Sequence, residues 1–360
     1  MRVLVCPTAF KESMSARQVT RAMVEGVSRA LPGEAIHRMP VSDGGPGLID
    51  AIAAVDGGER REHAVTGPLG GQITARSLWT PTGEAVIEAA DACGLHLMTP
   101  ADRNPLRAHT LGVGELVMRC LEHGPSEVVL GLGGSGTVDG GTGLARALGY
   151  RFLNSEGSDL PPGGGALGDL ARIECVSGPP DSTTHAAVPV SAIADVRSPL
   201  LGPDGAARRF APQKGASQDE VETLETGLER LAERLAEDLA CDVADLPGAG
   251  AAGGLGVGCA AFLDADLVAG SDWVLDRVGF DGALESTDLV VTGEGAWDAT
   301  SGLGKIVWEI IRRAMAASVP VALVCGRITG QSPAGVTALD GGGEWLDIDA
   351  VARLVAEVVG

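Results

Sequence analysis

Short apolar runs alternate along this chain with segments that carry one apolar helical face, and the alternation predicts an α/β protein. The clearest helix is 217–239, because Ser217 and Glu220 form a capping-box sequence and apolar residues recur at helical spacing behind them. Further helices are predicted at 15–30 (with Ser15 as the N-cap), 48–55, 113–122, 144–148, in the small-residue segment ending at 263, from 305 onward and at 347–359. Strands are predicted at 2–6, 34–40, 128–130, 188–194, 288–291 and 319–326, with a long irregular loop at 195–217 and another at 292–304.

Residues 60–90 have a different pattern, in which alternating residues are interrupted by turn sequences at Pro68–Gly71 and Pro81–Gly83. This pattern predicts antiparallel strands, whereas strand–helix alternation is typical of parallel sheets. We therefore predict two α/β domains. One comprises residues 1–59 and 285–360 and has a parallel sheet, and the other is an inserted mixed domain of residues 60–284 with antiparallel strands.

The segment 127–149, EVVLGLGGSGTVDGGTGLARALG, begins as a buried strand, continues as a glycine-rich loop and ends in a helix before Gly149. Such a turn predicts an anion site, because backbone amides and the helix dipole face the ligand. The glycines also match the dinucleotide pattern G-x-G-x-x-G, but Asp139 would repel a pyrophosphate. A tight turn without a ligand is the alternative, and it is the favoured interpretation of a second copy at 248–253.

The net charge of −21 argues against a nucleic-acid or anionic-membrane partner, since both require a basic surface. The seven cysteines form no C-x-x-C motif, which favours reduced thiols in a cytoplasmic protein. The apolar run at the N-terminus is too short for a signal peptide, and the run 249–263 is too short to cross a bilayer.

Only three of the 27 basic residues are lysines, namely Lys11, Lys214 and Lys305, and all three lie in predicted loops. Because arginine is otherwise used throughout, each lysine is expected where a compact ammonium is needed, as in phosphate or carboxylate binding. The alternative is that these three lysines have survived by chance and have no binding role.

Four aspartates follow strands or stand beside glycines, and they complete a set of residues suited to phosphoryl transfer: Asp43, Asp139, Asp195 and Asp298. Amides and ammonium groups neutralise phosphates, carboxylates hold Mg²⁺, and one carboxylate accepts the proton of the attacking hydroxyl. A serine-nucleophile elbow, a Cys/His pair and zinc-ligand spacing are not found in the sequence. The segment ending at Lys305 is not a Walker A loop either, because Ile306 replaces the Ser/Thr.

The chain resembles the bacterial glycerate kinase family that phosphorylates the 2-hydroxyl of glycerate. The shared motifs follow in order over nearly the whole length: PTAFKESMSA, SDGGPG, TGPLG, RNPL, GLGGSGTVDGGTGLARALG, DLPPGGGAL, DVRSPLLGPDGA, FAPQKGA, LPGAGAAGGLG, DLVVTGEG and GLGK. The resemblance implies ATP, Mg²⁺ and two α/β domains, one of them Rossmann- or flavodoxin-like, with the active site in the cleft between them. Small molecules, ATP and a hydroxy acid, are the expected partners of a monomer or homodimer.

The resemblance also implies roles for individual residues, and the division of labour among the aspartates stays open. Catalytic roles are expected for Lys11, Asp43, Asp195 and Lys214, with Mg²⁺ at Asp43 and Asp195. Substrate or phosphate binding is expected at Ser42, Gly44, Gly45, Gly133, Gly134, Ser135, Arg197, Gly293, Gly295, Asp298 and Lys305.

Several motif positions differ from the usual family pattern, among them Pro46, Leu48, Val138 and Arg197. The first three could shape a pocket for another hydroxy acid, and Arg197 could bind a carboxylate through two hydrogen bonds. We therefore expect a kinase for a small hydroxycarboxylic acid, glycerate by default. The alternative is a silent or re-specialised paralogue that binds a nucleotide or organic acid as a sensor or partner protein. A dinucleotide oxidoreductase is a more distant alternative.

Overall fold

The computed structural model describes residues 1–10, 14–176, 188–298, 301, 305–342 and 347–359. The strands are β1 Arg2–Val5, β2 Ala35–Arg38, β3 Glu59–Thr66, β4 Gln72–Trp79, β5 Ala85–Glu88, β6 Val128–Gly131, β7 Tyr150–Leu153, β8 Arg172–Cys175, β9 Val190–Ala194, β10 Asp266–Ala269, β11 Leu289–Trp297, β12 Val321–Ile328 and β13 Thr337–Asp340. The helices are α1 Ala16–Ala30, α2 Leu48–Asp56, α3 Ala90–Cys93, α4 Leu111–Leu121, α5 Thr142–Ala147, α6 Ala206–Phe210, α7 Gln218–Leu239, α8 Ala251–Leu263, α9 Gly270–Arg277, α10 Phe280–Leu284, α11 Ile306–Ala316 and α12 Ile348–Val359.

The chain forms two compact units. The first unit contains residues 1–43, 50–56 and 270–360, and the second unit contains residues 44–49 and 57–269. The division into domains near residues 60 and 284 stays a prediction.

The first unit is built on a five-stranded sheet with the order β13-β12-β11-β1-β2, in which every pair is parallel. Numbered within the unit, the order is 2-1-3-4-5, which is that of flavodoxin-like folds. The direction of winding reverses between β1 and β11, and ligands of such sheets bind at the carboxyl ends of the strands at that point. The predicted parallel sheet is therefore confirmed.

One core of the first unit joins the strands β1, β11 and β12 to the helices α1 and α12, and it includes Val5, Met23 and Val324. Helix α1 begins as predicted, because Ser15 Oγ accepts a hydrogen bond from the Gln18 amide and Gln18 Oε1 accepts one from the Ser15 amide. The parallel strands, which need helical crossovers, thus lie against amphipathic helices of the type that the sequence predicts.

The second unit contains a six-stranded mixed sheet with the order β10-β9-β6-β5-β4-β3. Strands β3, β4 and β5 pair antiparallel, as predicted from the turn sequences, and β5, β6, β9 and β10 pair parallel. The carboxyl ends of the four parallel strands therefore lie along one edge of this sheet. The expected mixed α/β class with antiparallel strands is confirmed.

Helix α7 has the predicted capping box between Ser217 and Glu220, and its apolar face is buried in the core of the second unit. Several elements of the second unit were not predicted. Strands β7 and β8 form a separate antiparallel pair, α6 lies inside the long loop that follows β9, and α3 and β10 are further additions. All of them are four or five residues long and lack the length over which periodicity becomes visible.

Among the described residues, none of the helices combines the length and the apolar composition that a membrane span requires.

Candidate active-site residues

Three loops of the first unit leave the carboxyl ends of neighbouring parallel strands. The loop after β1 contains Thr8, whose amide and hydroxyl both donate to Gly293 O, at 3.0 and 3.2 Å. The loop after β2 contains Ser42, which is buried, and Asp43, which is half-buried. Asp298 follows β11 directly. Of the predicted residues that the structure describes in this unit, Ser42, Asp43 and Asp298 therefore lie in loops at the carboxyl edge of the sheet, the edge at which flavodoxin-like folds bind ligands.

Asp298 lies within the loop predicted at 292–304, and Lys305 stands at the start of the helix predicted to follow it. The Asp298 amide donates to Ser301 Oγ at 3.2 Å, and the Ser301 amide donates to Asp298 O at 3.0 Å. Lys305 is half-buried at the N-cap position of α11. Lys11 lies outside the described residues, so its predicted catalytic role stays a prediction.

Gly293 and Gly295 are not in a loop, as the sequence suggested, because β11 continues through them to Trp297. A Cβ at Gly293 would lie 1.9 Å from Val324 O of β12. Close strand packing therefore explains why position 293 is a glycine. The apolar run stops at Val291, and the next residues are typical of turns, which is why sequence pattern alone placed a loop here.

In the second unit the glycine loop after β6 packs against the segment 44–49. The Gly133 amide donates to Gly44 O at 3.0 Å, and a Cβ at Gly133 would meet Gly45 Cα at 2.5 Å. Gly134 adopts a φ of 81° beside Pro46. The predicted glycines 44, 45, 133 and 134 are therefore together, and their missing side chains allow two backbone segments to touch.

Lys214 extends into the same glycine loop. Lys214 as a whole is 3% exposed, and its ammonium donates to Ser135 Oγ at 3.0 Å and to Thr137 O at 2.8 Å. Burial lowers the pKa of Lys214 to about 8, against the opposing effect of Cys93 and Asp139. An ammonium has three N–H donors, and the contacts to Ser135 and Thr137 use two of them.

The helix N-terminus that was predicted to hold an anionic ligand binds the protein's own Asp139 instead. This fully buried carboxylate accepts from the Gly141 and Gly143 amides at 3.2 and 3.1 Å. It also accepts from the amide and hydroxyl of Thr110, at 2.8 and 2.9 Å. The anion prediction for the start of α5 is therefore wrong, because an internal carboxylate already satisfies those amides. The part of the loop around Ser135 and Lys214 keeps its candidate role.

Asp195 and Arg197 follow β9 at the same sheet edge. Asp195 is half-buried, and Arg197 is exposed and forms no ion pair within the described ranges. A Cβ at Gly44 would lie 2.7 Å from Ile193 O, so the segment 44–49 also touches the end of β9. The structure thus brings β6, β9 and Gly44 together within the second unit.

The second glycine pattern, at 248–253, serves internal packing. The Gly250 amide donates to Ser198 O at 3.0 Å, and a Cβ at Gly253 would meet Thr137 O at 1.9 Å. The interpretation of this copy as a turn without a ligand agrees with these contacts.

Sequence reasoning assigned no role to Glu88, Arg103 or Asn104. Glu88 ends β5 and accepts hydrogen bonds from the amides of the segment 44–49. Arg103 lies close to Gly215, the residue after Lys214, since a Cβ at Gly215 would be 3.2 Å from Arg103 Cβ. Within the described part of the chain, Arg103 Nε and Asn104 Oδ1 are buried without a hydrogen-bond partner. The RNPL motif contains Arg103 and Asn104, and it was the sequence signal that could have singled out these two residues.

Two of the residues that differ from the family pattern are in the core. Leu48 and Val138 are both fully buried, while Pro46 is exposed. Side chains with no accessible surface do not shape a ligand pocket directly. The idea that Leu48 and Val138 redirect the acceptor site is therefore not supported by their positions.

Groups of three or more His, Cys, Asp or Glu that could hold a metal are not found among the described residues. Mg²⁺ at a phosphoryl-transfer site needs only one or two carboxylates together with substrate phosphates and water. Asp43 and Asp195 each follow a parallel strand and supply such oxygen donors, so their chemistry fits this ion.

The glycerate kinase family model matches residues 3–340. A glycerate kinase of Bacillus subtilis (strain 168) is 40% identical over 93% of this chain and 87% of its own length. A glycerate 2-kinase of Escherichia coli (strain K12) is 37% identical over 91% of this chain and 86% of its own length. The crystal structure of a protein assigned as glycerate kinase 2 from Salmonella typhimurium LT2 covers 100% of this chain and 97% of that one, with a TM-score of 0.79 and 34% identity.

The order of the motifs, the parallel and mixed sheets and these matches agree along nearly the entire length of the chain. The chain therefore belongs to the glycerate kinase family, a family of phosphate-transferring enzymes.

Proposed function

We propose that this protein transfers the γ-phosphoryl group of ATP to the 2-hydroxyl of glycerate and forms 2-phosphoglycerate and ADP. The observation that carries the proposal is the nearly full-length match to kinases, one of them named a glycerate 2-kinase. Membership in a kinase family implies the use of a nucleotide.

The reaction requires one new bond and one broken bond. The hydroxyl oxygen of glycerate attacks the γ-phosphorus, the bond from that phosphorus to the bridging oxygen breaks, and ADP leaves with the bond's electron pair. The hydroxyl proton passes to a carboxylate. Asp43 and Asp195 are the candidates for this base, since each follows a parallel strand and is only half-buried.

The phosphates of ATP need neutralising donors. Lys214 has one N–H beyond its contacts to Ser135 and Thr137, and it is nearly excluded from water, where a charge–charge contact is strong. Lys305 and the predicted Lys11 are the other ammonium candidates. Exposed Arg197 is the candidate for the carboxylate of glycerate, because a guanidinium binds a carboxylate through two parallel hydrogen bonds.

Mg²⁺, when bound, would neutralise charge on the transferred phosphate, and Asp43 and Asp195 are the residues proposed to hold it.

The test is a turnover assay that identifies the product as well as the loss of ATP. Purified protein is given ATP, MgCl₂ and D-glycerate, and ADP release is coupled to NADH oxidation. In a parallel reaction enolase is added without a phosphoglycerate mutase, so that only 2-phosphoglycerate gives phosphoenolpyruvate. ADP release with phosphoenolpyruvate supports the proposal, and ADP release without it means that another hydroxyl is used.

A panel of hydroxy acids of three to six carbons distinguishes the alternatives. Turnover on another acid but not on glycerate would contradict the assignment of glycerate. Binding of ATP, measured by calorimetry, without turnover of any acid would identify a silent paralogue.

Replacement of Asp195 or Asp43 by Asn tests the base. The variant that lacks the base should lose about 100-fold or more in kcat. Asp159→Asn is the matched control, because Asp159 is an exposed aspartate paired with Arg151 outside the candidate residues. If either Asp→Asn variant keeps nearly the wild-type kcat, that residue is not the base.

A further inference from the structure

Glu88 connects the end of β5 to the start of α2. Its Oε1 accepts a hydrogen bond from the Gly47 amide at 3.0 Å and another from the Ile49 amide at 2.9 Å. Gly47 directly precedes α2 and Ile49 is its second residue, so both amides lie at the helix start, where backbone donors have no partner within the helix. The Glu88 side chain thus accepts hydrogen bonds from both backbone amides.

The segment that Glu88 holds is part of the predicted phosphate-handling motif. It includes Gly44 and Gly45 and follows Ser42 and Asp43 directly in the chain. Its Gly44 O accepts from the Gly133 amide at 3.0 Å, so the same segment supports the glycine loop after β6. A displacement of the segment 44–49 would therefore also move the chain next to Asp43 and the glycine loop after β6.

The side chain is only 3% exposed. Burial raises the pKa of Glu88 to about 7, and Asp91 raises it further, whereas the two amides and Arg76 lower it. Arg76 is engaged by Asp91 through hydrogen bonds of 2.8 and 3.0 Å. The charged form of Glu88 therefore depends chiefly on the amides of the segment 44–49.

We infer that Glu88 is a positioning residue for phosphoryl transfer, which fixes the segment 44–49 and with it the backbone that follows Asp43. The inference rests on the proposed function. Glu88 has no contact with the reacting groups in this scheme, and its effect is geometric. Misplacement of a catalytic loop by about 1 Å can lower turnover about 100-fold.

The experiment compares Glu88→Ala and Glu88→Gln with Glu84→Ala. Glu84 is the matched control because it is a buried glutamate directly before the same strand, and it accepts hydrogen bonds from the hydroxyls of Thr80 and Thr82. Glu88→Ala should lower kcat about 10- to 100-fold while KM for ATP stays within about threefold. Glu88→Gln retains an acceptor oxygen at the same place and should restore most of kcat, and Glu84→Ala should keep kcat within about twofold.

Amide exchange, measured by mass spectrometry on a peptide that covers 44–49, provides a readout that does not require activity. The exchange should become faster in Glu88→Ala and not in Glu84→Ala. Unchanged exchange in Glu88→Ala, or an unchanged kcat in that variant, would overturn the inference. If the wild-type protein phosphorylates no hydroxy acid, the proposed function fails separately, and exchange alone then decides whether Glu88 anchors the segment.

Discussion

Lys214 offers the most quantitative test of the candidate residues. Replacement by Met removes the ammonium while a side chain of similar length still fills the space. In the wild type Lys214 is 3% exposed, and its amine donates hydrogen bonds to Ser135 Oγ and Thr137 O. Its burial should make the free energy of unfolding depend on pH in a way that the variant lacks.

The sign and size of this pH dependence follow from the pKa of Lys214, which burial lowers from 10.5 to about 8. Below about pH 8 the native protein carries the buried charge, and its cost is fully present. Between about pH 8 and 10.5 the unfolded chain binds a proton that the native protein has lost, so the free energy of unfolding rises with pH. The difference between the two pKa values corresponds to roughly 3 kcal/mol.

The assay is chemical denaturation followed by far-UV circular dichroism at about pH 7.5 and about pH 10.5, because these values bracket the expected titration. The free energy of unfolding of the wild type, relative to Lys214→Met, should increase by roughly 3 kcal/mol from the lower pH to the higher. Ser135→Ala is the control, since it keeps the buried amine and should follow the wild type. A change of less than about 1 kcal/mol between the two pH values would contradict the conclusion that burial lowers the pKa of Lys214.

The remaining predictions concern backbone packing and the buried carboxylate of the second unit. Gly293→Ala should destabilise the protein by about 3 kcal/mol in a thermal unfolding assay, because the new Cβ would lie 1.9 Å from Val324 O. Gly282→Ala is its control: a Cβ there meets open space, so this variant should be neutral or slightly stabilising. Asp139→Asn should cost about 3 kcal/mol, because an amide group cannot accept all the hydrogen bonds that the carboxylate receives. Exposed Asp159→Asn should change stability little, and equal unfolding temperatures for these two Asn variants would contradict the cap assigned to Asp139.

Local sequence patterns determined much of the fold because the responsible interactions join residues that are close in the chain. The capping boxes at Ser15 and Ser217 are contacts over three residues, and both are present as predicted. The positive φ of Gly149 is likewise a property of one position. The antiparallel strands after residue 60 follow from turn sequences that lie between them.

The chemistry of individual residues was predicted less completely, since it depends on partners that are distant in the chain. Lys214 was singled out by its rarity as a lysine, but its burial against Ser135 depends on a contact across 79 positions. Glu88 gave no signal, because its partners Gly47 and Ile49 lie about 40 residues earlier. Lys11 lies outside the described residues, and its role stays a prediction.

The sequence by itself determined the succession of helices and strands, the two kinds of sheet and the membership of the chain in a kinase family. Only the tertiary structure decided which glycines serve packing and which helix-start amides an internal carboxylate already satisfies. Asp139 occupies the helix start that looked suited to an anion, and Val324 of the neighbouring strand explains Gly293. Both outcomes depend on which distant atoms come within a few ångströms, and a pattern of neighbouring residues does not contain that information.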